Sequence, residues 1–213
     1  MEARQTPLAE LHYGITRTAP EKDESRLGSY RREYVIGLGS EKQLLPWANA
    51  SRFVRQKNIS SWANRMSKDA ILHYQRHLQE ERQPMEAGRI CFQIQKIGDK
   101  TIAFAHEYYP KDKLKKFRRD KEGRGSGINA ALIEADCLEH LRKELGVTHM
   151  TTTDGFYGAG TRGGKSHTSQ ERQDQLRSHG IEPKKTYTID EWIRLLKETP
   201  DCSQIKGYPR IEL

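Results

Sequence analysis

Cysteine is scarce in this chain of 213 residues. Cys91, Cys137 and Cys202 are odd in number, lie far apart and form no CxxC pair. Neither a disulfide framework nor a zinc site is signalled, and no metal is expected. Cys137 falls in the apolar part of a predicted helix, where packing is its expected role. Long apolar runs are missing as well. None approaches the roughly 20 residues that a membrane helix needs. The opening stretch MEARQTPLAELHYG lacks the apolar core of a signal peptide. No membrane partner is expected, and the cytoplasm is the expected compartment. Hydrophobic residues make up 34% of the chain against 31% charged, which leaves room for one core with well-solvated flanks.

Charge is plentiful and unevenly placed. The net charge is +8, yet residues 1–33 carry six basic and six acidic groups and are neutral as a whole. The excess concentrates in Lys111–Arg124, where eight basic groups face three acidic ones. A local patch of this kind concentrates anions: a nucleic-acid backbone, a phosphorylated cofactor or an acidic substrate. Taken alone, a charge run is more often a solvated loop.

Residues 1–33, rich in charge and poor in aliphatics, read as an N-terminal extension, disordered or draped over the domain. A single domain is expected over 34–213. YVIGLG, Tyr34 to Gly39, predicts a first strand. EKQLLPWANASRFVRQ reads as helical and broken by Pro46. SKDAILHYQRHLQEERQ predicts a helix capped by Ser67, with Ala70, Ile71, Tyr74 and Leu78 on its buried face. His73 and His77 lie one turn apart on it, without the glutamate of HExxH, and read as surface or boundary residues.

RICFQIQKIGDKTIAFAHEYYP predicts a β-hairpin turning at Gly98-Asp99. The basic segment follows, then GRGSG, then a helix over Gly127–Leu145 closed by Gly146. VTHMTTT is β-prone. GFYGAGTRGGKSHT, with five glycines, reads as a loop. QERQDQLRSH reads as a helix, and KKTYTIDEWIRLLKE as a short strand and a helix capped by Thr188. The order implies a mixed α/β layout.

GRGSGIN is the segment with chemistry in it. A helix N-terminus presents backbone N–H groups without intrahelical partners, and its dipole favours an anion. Glycines let the backbone approach a ligand closely. Ser126 adds a hydroxyl, and Arg124 a forked donor for phosphate oxygens. GxxxxGK[ST] is absent, which excludes a P-loop. A relaxed GxGxxA is present through Gly125, Gly127 and Ala130, with Asp154 at a suitable distance. The segment before it is a lysine-rich loop rather than an apolar strand, so a dinucleotide site ranks below the readings that follow.

RGSGINAALI, Arg124 to Ile133, resembles the acyl-CoA pyrophosphate loop of the GNAT superfamily of N-acetyltransferases, in which arginine or glutamine, two residues, glycine, one residue and a glycine or alanine lead into an aliphatic helix. Arg124, Gly127, Ile128, Ala131 and Leu132 fit, whereas Asn129 stands where glycine or alanine is usual. The strand, helix and strand expected next are matched by VTHMTTT, by SQERQDQLRSHGI and by KKTYTI. Leu176 occupies the position of a tyrosine that serves many members as general acid. The resemblance covers about residues 88–190.

The resemblance implies a GNAT-like α/β domain with a mixed, largely antiparallel sheet flanked by helices. It implies acetyl-CoA or another acyl-CoA as cofactor, held by Arg124, Gly125, Ser126, Gly127, Ile128 and Asn129, and transfer of the acyl group to an amine. A glutamate, or a water it positions, removes a proton from the ammonium, and a backbone N–H polarises the thioester carbonyl. Glu107, at the end of its strand, is the first carboxylate for that role, and Asp154 the second. Glu107 is equally readable as a solvent-facing carboxylate, and Asp154 as part of an Asp-Gly turn. Tyr108, Tyr109, Phe156 and Tyr157 can line an acceptor site, with Arg162 and Lys165 adding positive charge from a closing loop. More often such tyrosines are packing residues.

Three readings stand. The first is an acyl-CoA-dependent acyltransferase. The second is a non-enzymatic nucleic-acid-binding protein that grips phosphates through Lys111–Arg124. The third is a GNAT-like fold turned to modifying nucleic acid, which accounts for both the basic patch and Leu176.

Overall fold

A computed structural model describes residues 8–18, 21–22, 29–110, 117, 121–122, 124–151, 177 and 186–198. Its strands are β1 (His12–Arg17), β2 (Glu21–Lys22), β3 (Ser29–Gly39), β4 (Phe53–Asn58), β5 (Met85–Ile97), β6 (Lys100–Pro110), β7 (His149–Thr151) and β8 (Thr186–Thr188). Its helices are α1 (Glu41–Ala48), α2 (Lys68–Glu80), α3 (Ala130–Leu145) and α4 (Ile189–Glu198), with 3-10 turns at Leu8–Glu10 and Ser60–Arg65. Strands follow one another in the order β4-β1-β3-β5-β6-β7-β8, with β2 on β3. The sheet is mixed: β6 and β7 pair in parallel, while β1–β3, β1–β4, β2–β3 and β7–β8 are antiparallel. The α/β class and the mixed sheet agree with the sequence. The described residues fall into two compact units, the first within 1–20, 32–91 and 107–128, the second within 21–31, 92–106 and 129–213.

In the first unit, β1 pairs with β3 from His12↔Gly39 to Arg17↔Tyr34. Leu11, Tyr13 and Ile15 are buried, as are Tyr34, Ile36 and Leu38 opposite. A peripheral extension reaching residue 33 therefore does not describe His12–Arg17. This strand lies between β3 and β4, its apolar residues alternating at the period of a sheet. Phe53–Asn58, read from sequence with the preceding helix, is instead the strand β4, half-buried, paired to β1 and last in the strand order among the described residues. The helix before it runs through Pro46 and stops at Ala48, where Asn49 caps it.

Ser40 and Gln43 form a capping box at the start of α1. The Gln43 N–H donates to Ser40 Oγ at 3.2 Å, and the Ser40 N–H to Gln43 Oε1 at 2.7 Å. Gln43 then donates from Nε2 to the carbonyls of His77 and Glu81 at the end of α2, at 3.1 and 2.8 Å. One buried amide thus closes the start of one helix and the end of another. Ser67 caps α2 by accepting the Ala70 N–H, as its sequence predicts.

In the second unit, α3 is buried without a break from Ile133 to Leu138, so it is enclosed on all sides. Gly146, at φ 62 and ψ 31, ends it in the left-handed region, as the sequence predicts. Thr188 accepts the Glu191 N–H at 3.2 Å and donates its own N–H to Glu191 Oε2 at 3.0 Å, a second capping box at the expected residue. Ile189, Trp192, Ile193 and Leu196 form the buried face of α4 at helical spacing. Trp192 Nε1 donates to the buried Glu134 Oε1 on α3 at 3.3 Å, and Arg142–Asp190 and Lys197–Glu139 ion pairs flank that contact.

Candidate functional site

The turn at Arg124–Asn129 is held by the chain that leads into α2. Between the 3-10 turn ending at Arg65 and the start of α2, Met66 and Ser67 are extended. That geometry turns backbone groups outward, and the turn takes them. The Gly125 N–H donates to the Arg65 carbonyl at 3.1 Å, and the Ser67 N–H to the Gly125 carbonyl at 2.8 Å. Met66 makes an isolated bridge to Gly125 and Ser126. From the second turn of α2, the buried Tyr74 donates its hydroxyl to the Ser126 carbonyl at 2.9 Å. The Ile128 N–H faces Ser126 Oγ at 3.5 Å, the outer limit of a hydrogen bond.

Gly127 sits at φ 73. A Cβ there would stand 2.3 Å from Met66 Cγ and 3.2 Å from the Trp62 carbonyl oxygen. Both the left-handed backbone and the absence of a side chain are needed for the turn to seat on Met66. The helix that sequence reading starts at Gly127 therefore starts at Ala130. Asn129 is its N-cap, extended at φ −91 and ψ 90, with Oδ1 accepting the Leu132 N–H at 3.2 Å. The first helical bond closes from Ile133 to the Asn129 carbonyl. The Leu132 N–H is thus taken by Asn129 itself, which leaves Ala130 and Ala131 as the first-turn donors without an intrahelical acceptor.

Arg124 pairs with Glu122 at 3.0 Å on the surface, its side chain about two-fifths exposed. An incoming anion competes with that carboxylate for the guanidinium. Phe117, in the basic segment, is half-buried against α2, its ring 5.3 Å from His73 and 6.1 Å from Tyr74. His73 is thus half-buried at this boundary rather than on the open surface. Of the remaining basic segment, only Lys121, Glu122 and Arg124 belong to the described residues.

Glu107, Tyr108 and Tyr109 lie in the second half of β6, on the strand that sequence reading gave them. Asp154, Phe156, Tyr157, Arg162, Lys165 and Leu176 lie outside the described residues, as does Cys202. Cys91 and Cys137 are buried thiols. Burial pushes the Cys137 thiol well above its ordinary range, and the neighbouring Asp136 and Glu134 carboxylates push it further.

Sequence reasoning missed Met66 and Tyr74 as partners of the turn, because a contact over about 50 residues leaves no local pattern. It also passed over Asn129 as a cap. That signal was present: asparagine is among the preferred N-cap residues, and an alanine-rich helix follows it. Comparison of the chain with protein-family models, with curated proteins and with solved structures returns no match.

Proposed function

We propose that the chain is an acyl-CoA-dependent acyltransferase of GNAT-like fold, transferring an acyl group, acetyl in the first instance, to an amine. One observation carries the reading. The turn Arg124–Asn129, with Gly127 left-handed, enters α3 within a β6–α3–β7 crossover whose two strands are parallel, and β7 then pairs antiparallel with β8. The resemblance of RGSGINAALI implies a strand, a helix and a strand after this helix; β7 and β8 agree with the two strands, and the helix expected over Ser169–Ile181 lies outside the described residues.

The residues fit a pyrophosphate in part. Arg124 is exposed enough to be drawn from Glu122, and the dipole at the start of α3 favours an anion. Gly125 and Leu132 give their N–H groups to the protein and have none to spare. The cofactor's thioester supplies the activated acyl group. Glu107 is the carboxylate proposed to take the proton from the acceptor ammonium, leaving the nitrogen lone pair free to react. Tyr108 and Tyr109 share its strand and are proposed to line the acceptor site.

Calorimetric titration with coenzyme A tests the reading, on the wild-type protein and on Arg124→Ala. Binding that weakens in the variant, with an unchanged melting temperature, supports it. A wild-type protein that binds no coenzyme A or acetyl-CoA, yet binds duplex or single-stranded nucleic acid with steep salt dependence, overturns it in favour of a nucleic-acid-binding protein.

A further inference from the structure

The turn is fixed at three points by α2 and the two residues that lead into it. Ser67 ties it through the Gly125 carbonyl while capping α2 with its own hydroxyl. Met66 fills the space that the missing Gly127 side chain leaves. Met66 meets Ser126 through a backbone bridge, whereas Tyr74 holds it by a side-chain hydroxyl donated to the Ser126 carbonyl.

The placement of that hydroxyl matters. Ser126 is the residue before the left-handed glycine, and its carbonyl belongs to the peptide whose N–H is that of Gly127. Fixing the carbonyl oxygen fixes the plane of that peptide, and with it the direction of the Gly127 N–H, because the unit is planar and trans. The N–H points opposite to the carbonyl. With the Ser126 oxygen drawn toward Tyr74, the Gly127 N–H is turned away from α2.

The Tyr74 ring is itself braced. Phe117 packs against it edge-on at 6.1 Å and also contacts His73 one residue earlier on α2. The basic segment thus supplies an aromatic residue to the group that orients the turn.

We propose that Tyr74 is a positioning residue for ligand phosphate: its hydroxyl sets the orientation of the Ser126–Gly127 peptide, and Phe117 braces it. The inference rests on the acyl-CoA reading given above and deepens it. The grip of the turn on a phosphorylated ligand is set from α2, not only from the helix that follows the turn.

The test uses the full-length wild-type chain, Tyr74→Phe and Phe117→Leu. Tyr74→Phe keeps the ring in its packing and removes only the hydroxyl. Two measurements are made on each: amide hydrogen exchange without ligand, and affinity for coenzyme A by calorimetry. The expected result for Tyr74→Phe is faster exchange at Gly127 and Ile128, with the amides of Leu138 and Met150 protected as before. Coenzyme A affinity falls about five- to tenfold, the loss that one hydrogen bond implies. Phe117→Leu changes both in the same direction by less. With acetyl-CoA and an accepted amine, the KM for acetyl-CoA rises while kcat holds, a split that a general loss of stability does not produce.

A wild-type protein that binds coenzyme A, with a Tyr74→Phe variant that binds it equally well, overturns this inference and leaves the acyl-CoA reading standing. Unchanged exchange at Gly127 and Ile128 in Tyr74→Phe overturns it too. A wild-type protein that binds no coenzyme A overturns the acyl-CoA reading and this inference together.

Discussion

Met66 and Gly127 interlock. The Met66 side chain occupies the place where any residue other than glycine at 127 would put its Cβ, and the backbone there is left-handed besides. Gly127→Ala is expected to destabilise the protein by about 1–3 kcal/mol through strain and overpacking. Urea denaturation measures it, and a variant as stable as wild type would show that the turn is not seated on Met66. The interlock also means that lost ligand binding in a bulky Gly127 variant does not by itself identify a ligand site, because the turn is disturbed first.

Asn129 separates helix capping from anion binding. Asn129→Ala is expected to cost about 1 kcal/mol by removing the cap on the Leu132 N–H, and Asn129→Gly only a few tenths. Asn129→Gly also frees the Leu132 N–H for an anion and is expected to raise coenzyme A affinity. Thermal melts and calorimetry of the two variants check this. A fall in affinity with glycine would count against a pyrophosphate at the start of α3.

Gln43 joins two helices through one buried amide. Gln43→Leu leaves the carbonyls of His77 and Glu81 without that donor and removes the acceptor of the Ser40 N–H. A loss of about 1–3 kcal/mol is expected, since these partly buried groups lose the amide, although the His77 carbonyl keeps the Glu81 N–H. A shift below about 1 kcal/mol in urea titrations would show that water replaces the amide at these groups.

Cys137 gives a pH dependence with a definite sign. Its folded thiol holds its proton to a higher pH than an unfolded thiol does, because burial disfavours the thiolate. The unfolded chain releases that proton near an ordinary thiol value of about 8.5. Stability is fully present below that range and falls as pH rises above it, by at most about 1.4 kcal/mol per pH unit for one proton. Urea midpoints at about pH 7.5 and 9.5 are expected to diverge more for wild type than for Cys137→Ala. Equal divergence in the two proteins would remove Cys137 as the source.

Local signals in the sequence were read where the structure uses them locally. Ser67, Thr188 and Gly146 mark helix ends, and each does so through its own side chain or backbone conformation. The hairpin turn at Gly98-Asp99 falls between β5 and β6. The strands missed were those whose identity comes from distant partners. HYGITR becomes a strand through β3 and β4, and FVRQKN, too polar to read as a buried strand, is half-buried and last in the strand order among the described residues. The candidate turn was legible in its glycines and arginine. Its support was not, because Arg65, Met66, Ser67 and Tyr74 meet it over a long stretch of sequence and largely through backbone atoms.

The polarity that hid β4 has its own use. Arg55 and Lys57, opposite Ile15 and Tyr13, share one face of β4, the last strand in the order on that side among the described residues. A second copy adding itself antiparallel along that border would bring cation against cation. The two basic residues are expected to oppose further strand addition, so a chain with Arg55 and Lys57 replaced by threonine is expected to self-associate at concentrations where the wild type stays dispersed.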